Sequence, residues 1–234
     1  MKQRNNQQAI RNLVGIALFA ALAYGVTFVF RLPISFLTFD AKDAIITVAG
    51  FIYGPLASVA IAWIAALLEF ITISSTGLYG FLMNGISSAC FAGVAALLYK
   101  LMRTARGAVL SLVASVVAMT GVMLLMNLWI TPFYMGVSVA DVKALIPTLL
   151  LPFNLAKGCL NAALCILLYK PVITVMRRMR VIPPSRTPRS EAVTDADREA
   201  KPTFRLNRSS ILLICVCVLL AVVAIVFFVL LKQG

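Results

Sequence analysis

Asn154, Lys157 and Asn161 recur at three and four residues inside an otherwise apolar run from Leu149 to Tyr169. On a helix this spacing sets an ammonium between two carboxamides on one face. Such a face donates and accepts hydrogen bonds, and it suits carbonyl oxygens and ring N–H groups. A cation at bilayer depth costs about 2.5–3.5 kcal/mol on insertion scales, so Lys157 requires a ligand, a pathway or a counter-ion. Other apolar segments carry matching stripes. Asn84, Ser87, Ser88 and Phe91 share a face, Asn127, Thr131 and Tyr134 recur at four and three residues, and Glu69 ends a stripe of Ala62, Ala65 and Ala66. With the spans alternating, Asn84, Asn127, Asn154 and Lys157 come to one depth near the outer surface. Amides and an ammonium with aromatic side chains nearby suit a neutral planar ligand. The plainer alternatives are hydrogen bonds between helices and a salt bridge from Lys157 to Glu69 without a ligand role.

Much other chemistry is excluded. The chain has no histidine, which removes His-ligated metal sites and His-based triads, and it has no Gly-x-x-x-x-Gly-Lys-Ser/Thr phosphate loop. Cys90, Cys159, Cys165, Cys215 and Cys217 lack C-x-x-C spacing and lie in apolar runs, where they read as packing residues. Asp40 and Asp43 are a carboxylate pair that an embedded enzyme could use as acid and base. Their position at a helix start is better explained by capping and by the positive helix end. No catalytic residue, metal or cofactor is expected.

The elements that must position these groups follow from composition. A 234-residue chain that is 62% hydrophobic, with mean hydropathy +0.98, is an all-α integral membrane protein. Apolar runs predict spans at Leu13–Phe30, Ala44–Tyr53, Leu56–Ile73, Gly80–Leu101, Val109–Ile130, Leu149–Met176 and Ile211–Leu231. The reading is a six-transmembrane-helix bundle over residues 1–176, a basic Pro-containing linker over 177–209, and a seventh transmembrane helix over 210–234. Gly54-Pro55 predicts a tight turn between the short second span and the third, and Pro132-Phe133 an outer helix end.

The net charge of +13 reflects topology rather than nucleic-acid binding. Lys2, Arg4 and Arg11, then Lys100, Arg103 and Arg106, then the basic residues after Tyr169 fall on one side of an alternating bundle. The positive-inside rule makes that side cytoplasmic and places the N-terminus there. Ala21-Leu22-Ala23 has the form of a signal-peptide cleavage site, but the apolar run continues to Phe30. Ala17, Ala21 and Gly25 instead form a small-xxx-small stripe on which another transmembrane helix, of this chain or a partner, can dock.

Phe39-Asp40-Ala41-Lys42-Asp43 and Gly50-Phe51-Ile52-Tyr53-Gly54-Pro55 resemble the loop and second helix of the S components of energy-coupling factor (ECF) vitamin transporters, most closely the riboflavin-specific branch. Ser75-Thr76-Gly77 with Gly80 and Asn84, Asn127 before Thr131-Pro132-Phe133-Tyr134, and Pro152-Phe153-Asn154-Leu155-Ala156-Lys157-Gly158 continue the pattern over roughly residues 10–176. The resemblance implies a non-enzymatic riboflavin-binding subunit of a bacterial plasma membrane. Its outward pocket would be closed by the loop Arg31–Asp43, and it would work with a transmembrane coupling subunit and two ATPases. It implies Asn127 and Lys157 at the polar flavin edge, and Thr38, Asp40, Lys42 and Asn84 at the ribityl chain or the gate. Asn154, Asn161, Thr131 and Tyr134 are the remaining ligand candidates, and Ala17 and Ala21 match the family's docking stripe. An S component for another vitamin such as thiamin, a membrane-embedded enzyme and a structural membrane protein are the alternatives.

Overall fold

The computed structural model describes residues 2–178, apart from Ser75 and Arg103. The expected seventh span and all but the first two residues of the expected linker, with Cys215 and Cys217, lie outside the described residues. The order is α1 (Lys2–Val29), β1 (Arg31–Ile34), β2 (Leu37–Asp40), α2 (Lys42–Tyr53), α3 (Pro55–Thr72), α4 (Gly77–Met102), α5 (Ala105–Met135), α6 (Val139–Leu145), a π turn (Ile146–Leu150) and α7 (Leu151–Arg178). Five stretches among the described residues are long and apolar enough to cross a membrane: Ala9–Val29, Pro55–Thr72, Gly77–Met102, Arg106–Met135 and Val139–Tyr169. The chain is an all-α membrane bundle but for the ribbon β1–β2.

The expected second span is a helix of a different kind. α2 has 12 residues, about 18 Å at 1.5 Å per residue, against roughly 30 Å of hydrocarbon. It packs against α1, α3, α4 and α7, and Lys42, Asp43, Ala44 and most residues to Gly50 are buried. α2 is therefore the core of the bundle rather than one of its staves. A Cβ on Gly50 would lie 2.8 Å from the Cβ atoms of both Ala96 and Ser58, so the bare backbone lets α2 sit this close to α3 and α4. The Gly54-Pro55 turn forms as the sequence predicts. Gly54 takes φ 99° and donates its N–H to the Gly50 carbonyl at 2.8 Å, and Pro55 occupies the first turn of α3.

Two boundaries differ from expectation. α5 runs through Pro132 to Met135 and ends where Gly136 adopts φ 66° and donates to the Pro132 carbonyl. A left-handed glycine stops this helix, and proline does not. The last span begins earlier than Leu149, because Ser138 and Asp141 form a reciprocal capping box that starts α6 at Val139. The π turn then joins α6 to α7, with the Leu151 N–H bonded to the Ile146 carbonyl. This wider turn re-phases the helix and buries Leu149 and Leu150 ahead of Phe153, Asn154 and Lys157.

The loop expected at Arg31–Asp43 is an antiparallel hairpin pairing Arg31 with Asp40 and Ile34 with Leu37. Leu37 and Phe39 are buried against Phe153, Leu150 and Val142. Arg31 donates to the Ile73 carbonyl at 2.8 Å, which ties β1 to the end of α3.

Candidate functional site

A cavity lies between the hairpin and helices α4, α5 and α7, with about 620 Å³ of empty space including its open mouth. Thr38, Asn84, Thr131, Tyr134, Asn154 and Lys157 from the sequence-derived set line it, joined by Phe36, Leu37, Thr76, Tyr79, Gly80, Met83, Ser87, Met123 and Phe153. Helical spacing delivers these groups. Gly80, Met83, Asn84 and Ser87 follow one face of α4, and Phe153, Asn154 and Lys157 follow one face of α7.

Asn127, Asn161, Asp40 and Lys42 stand behind this wall. The Asn127 amide donates to the Met123 carbonyl at 2.7 Å and its oxygen accepts from the Thr131 hydroxyl at 3.0 Å. Asn127 thereby orients a residue that does line the cavity. Asn154 likewise donates to its own helix, at the Leu150 carbonyl.

Lys157 pairs with Asp40, not with Glu69. Its Nζ lies 2.9 Å from Asp40 Oδ2 and 3.4 Å from the Thr38 carbonyl. Glu69 takes Lys42 instead, with Nζ 2.6 and 2.8 Å from its two oxygens, while Asn84 donates to Oε2 at 3.0 Å and Thr27 to Oε1 at 3.2 Å. Lys42 also approaches Asp40 Oδ2 at 3.9 Å. The result is a buried chain, Lys157–Asp40–Lys42–Glu69, from α7 through the hairpin and α2 to α3. Burial alone pushes the Asp40 carboxyl up, but the Lys157 and Lys42 cations outweigh it and hold the group below the ordinary aspartate value.

The capping role expected of Asp40 falls to another residue. The residue before α2 is Ala41, which has no side-chain cap. Asn161 supplies the cap from across the bundle. Its oxygen accepts the Ala44 N–H at 2.9 Å, and its amide donates to the Asp40 and Lys157 carbonyls at 2.9 and 3.0 Å. Asn161→Ala strands the Ala44 N–H and the Asp40 carbonyl in a dry interior and should cost about 1–3 kcal/mol. Thermal unfolding in detergent measures this loss.

Ala17, Ala21 and Gly25 are exposed along α1, whereas Ala20 and Ala23 of the same helix are buried. Nothing in the bundle lies within 4 Å of a Cβ built on Gly25. The small-residue stripe therefore faces away from the other described helices. Cys90, Cys159 and Cys165 form no disulfide, and no metal-holding cluster occurs among the described residues. Sequence reasoning missed Phe36, Leu37, Thr76, Tyr79, Met83 and Met123 as lining residues. Thr76 lies inside the Ser75-Thr76-Gly77 motif and Tyr79 adjoins Gly80, so both carry a usable signal. Met83 and Met123 look like any core methionine.

Residues 11–169 match the family model described as ECF transporter, substrate-specific component. The riboflavin transporter RibU of Staphylococcus aureus (strain TCH60) is 29% identical over 188 residues, covering 76% of this chain and 98% of that protein. The riboflavin transporter FmnP of Bacillus subtilis (strain 168) is 28% identical over 188 residues, covering 74% and 98%. A solved structure of the S component of a bacterial ECF transporter superposes with a TM-score of 0.61 at 28% identity, covering 74% of this chain and 99% of that one.

Proposed function

The chain belongs to the family of ECF transporter substrate-specific components, and from that membership we propose that it captures riboflavin outside the cell and delivers it inward with an ECF module. The observation that carries the ligand class is the charge state of the cavity wall. Lys157 is the one cation among its lining residues, and Asp40 already neutralises it. The wall therefore offers directed donors and acceptors with little net charge. That arrangement favours a neutral ligand over an anionic one.

An isoalloxazine ring is planar, with two carbonyl oxygens and a ring N–H along one edge. Phe36, Tyr79, Tyr134 and Phe153 offer aromatic surface, Lys157 and Asn154 offer donors toward that edge, and the Thr131 hydroxyl, whose proton goes to Asn127, offers an acceptor. The ribityl hydroxyls suit Thr38, Thr76, Asn84 and Ser87. Asn127, Asp40, Lys42 and Asn161 act from behind, by holding these groups in place.

The exposed stripe Ala17, Ala21 and Gly25 is the surface assigned to a transmembrane coupling subunit, itself driven by two ATPase subunits. In this reading residues 1–176 are the binding domain, residues 177–209 the cytoplasmic linker and residues 210–234 an added anchor. The N-terminus is cytoplasmic and the chain itself catalyses no reaction. Purified full-length protein should quench the fluorescence of added riboflavin at about one ligand per chain. Absence of quenching with riboflavin, alongside binding of thiamin or another vitamin from a panel, would reassign the ligand.

A further inference from the structure

Two cations and three carboxylates share the buried network under the cavity: Lys42 and Lys157 against Asp40, Asp43 and Glu69. Lys157 takes Asp40 and Lys42 takes Glu69. Asp43 is left over. It is fully buried, its Oδ1 accepts from the Ser88 hydroxyl, and its Oδ2 has no hydrogen-bond partner among the described residues. Asp40, three residues away, also keeps one buried oxygen, Oδ1, without a partner.

Among the described residues, the cations in contact with this network are Lys42 and Lys157, and both are already committed. α1 presents Thr27, α3 presents Glu69, α4 presents Asn84 and Ser88, and α7 presents Lys157 and Asn161. An ionised carboxylate buried without a cation is much more costly than the neutral acid. We infer that the network binds one further proton, carried by Asp43 as a neutral carboxylic acid. A proton on Oδ1 turns the contact with Ser88 round, so that Asp43 donates and Ser88 Oγ accepts, and the cluster becomes neutral, with two cations and two anions.

The sign of the pH dependence follows. A carboxyl that keeps its proton when folded binds more protons in the folded than in the unfolded chain once the pH exceeds the ordinary aspartate value of about 3.9. Stability therefore falls as pH rises above that value and levels off once the buried group has released its proton. Asn reproduces the neutral acid, so Asp43→Asn should fold and lose this dependence. The hairpin that carries Asp40 also lines the cavity through Leu37 and Thr38, so the proton and the ligand are linked. This last link rests on the function proposed above.

The test uses the full chain in detergent without added flavin. Infrared spectra of protein carrying isotope-labelled aspartate should contain, at neutral pH, the shifted carbonyl stretch of a protonated carboxylic acid. That band should vanish in Asp43→Asn. The unfolding temperature of the wild type should fall with rising pH, and that of Asp43→Asn should stay flat. Absence of the band from the wild type overturns the proposal, and this measurement stands even if the variant does not fold. A band that survives Asp43→Asn also overturns it. So does an unfolding temperature set by sodium concentration at fixed pH, which would assign the site to a metal cation. If the band behaves as stated and riboflavin does not bind, the proton site holds and the ligand reading falls.

Discussion

Lys157→Ala should weaken flavin binding by one to two orders of magnitude and destabilise the bundle by about 3–5 kcal/mol, because it leaves Asp40 buried with only a distant cation. Lys157 Nζ is 2.9 Å from Asp40 Oδ2 and Lys42 Nζ is 3.9 Å away. The remaining pair is too long for a good hydrogen bond. The ligand contribution, about 2 kcal/mol or more for a central polar anchor, is separable from the structural one. In Lys157→Met with Asp40→Asn both charges leave together, so stability should largely return, since removing a buried pair is far less costly than breaking it. Flavin affinity should not return, because the donor at the cavity wall is still missing. Thermal unfolding and riboflavin titration on the same three proteins make the comparison. Full recovery of affinity in the double variant would show that Lys157 serves the hairpin alone.

Glu69→Ala should be as damaging to stability, again by about 3–5 kcal/mol, with a smaller effect on binding. Glu69 is where four helices meet: α3 carries it, α2 brings Lys42, α4 brings Asn84 and α1 brings Thr27. Its loss leaves the Lys42 ammonium fully buried with Asp40 as its nearest carboxylate at 3.9 Å. Asn84 lines the cavity, so losing its acceptor frees the amide to turn and should weaken binding several-fold through lost orientation. Lys42→Met in the Glu69→Leu background should recover most of the stability, while the Asn84 effect remains. Unfolding temperature separates the first consequence and riboflavin titration the second.

Much of this site is legible in sequence because helices make polar spacing into a shared face. Asn84 with Ser87, and Asn154 with Lys157, reach the same cavity as their intervals of three imply. The Gly54-Pro55 turn is legible for an equally local reason, since positive φ and a fixed proline φ need no tertiary information. Pairing between segments is a different matter. Lys157 meets Asp40 from 117 residues away, and nothing in the interval distinguishes that carboxylate from Glu69. The hairpin was hidden because four-residue strands carry too little alternation to register. Asn127 stands behind the cavity wall for a simple geometric reason. Its side chain curls back to Met123 on its own helix, a choice open to any buried Asn.

The cap that Asn161 places on α2 has a consequence for biogenesis. α2 is inserted early, yet its N-terminal N–H and its hairpin carbonyl are satisfied by a residue synthesised 117 and 121 positions later, and Lys157 arrives just before it. Until α7 emerges from the ribosome, Asp40 at the end of β2 lacks its closest cation and α2 keeps an uncapped N-terminal end. This site is therefore completed only when α7 packs against the β-hairpin and α2.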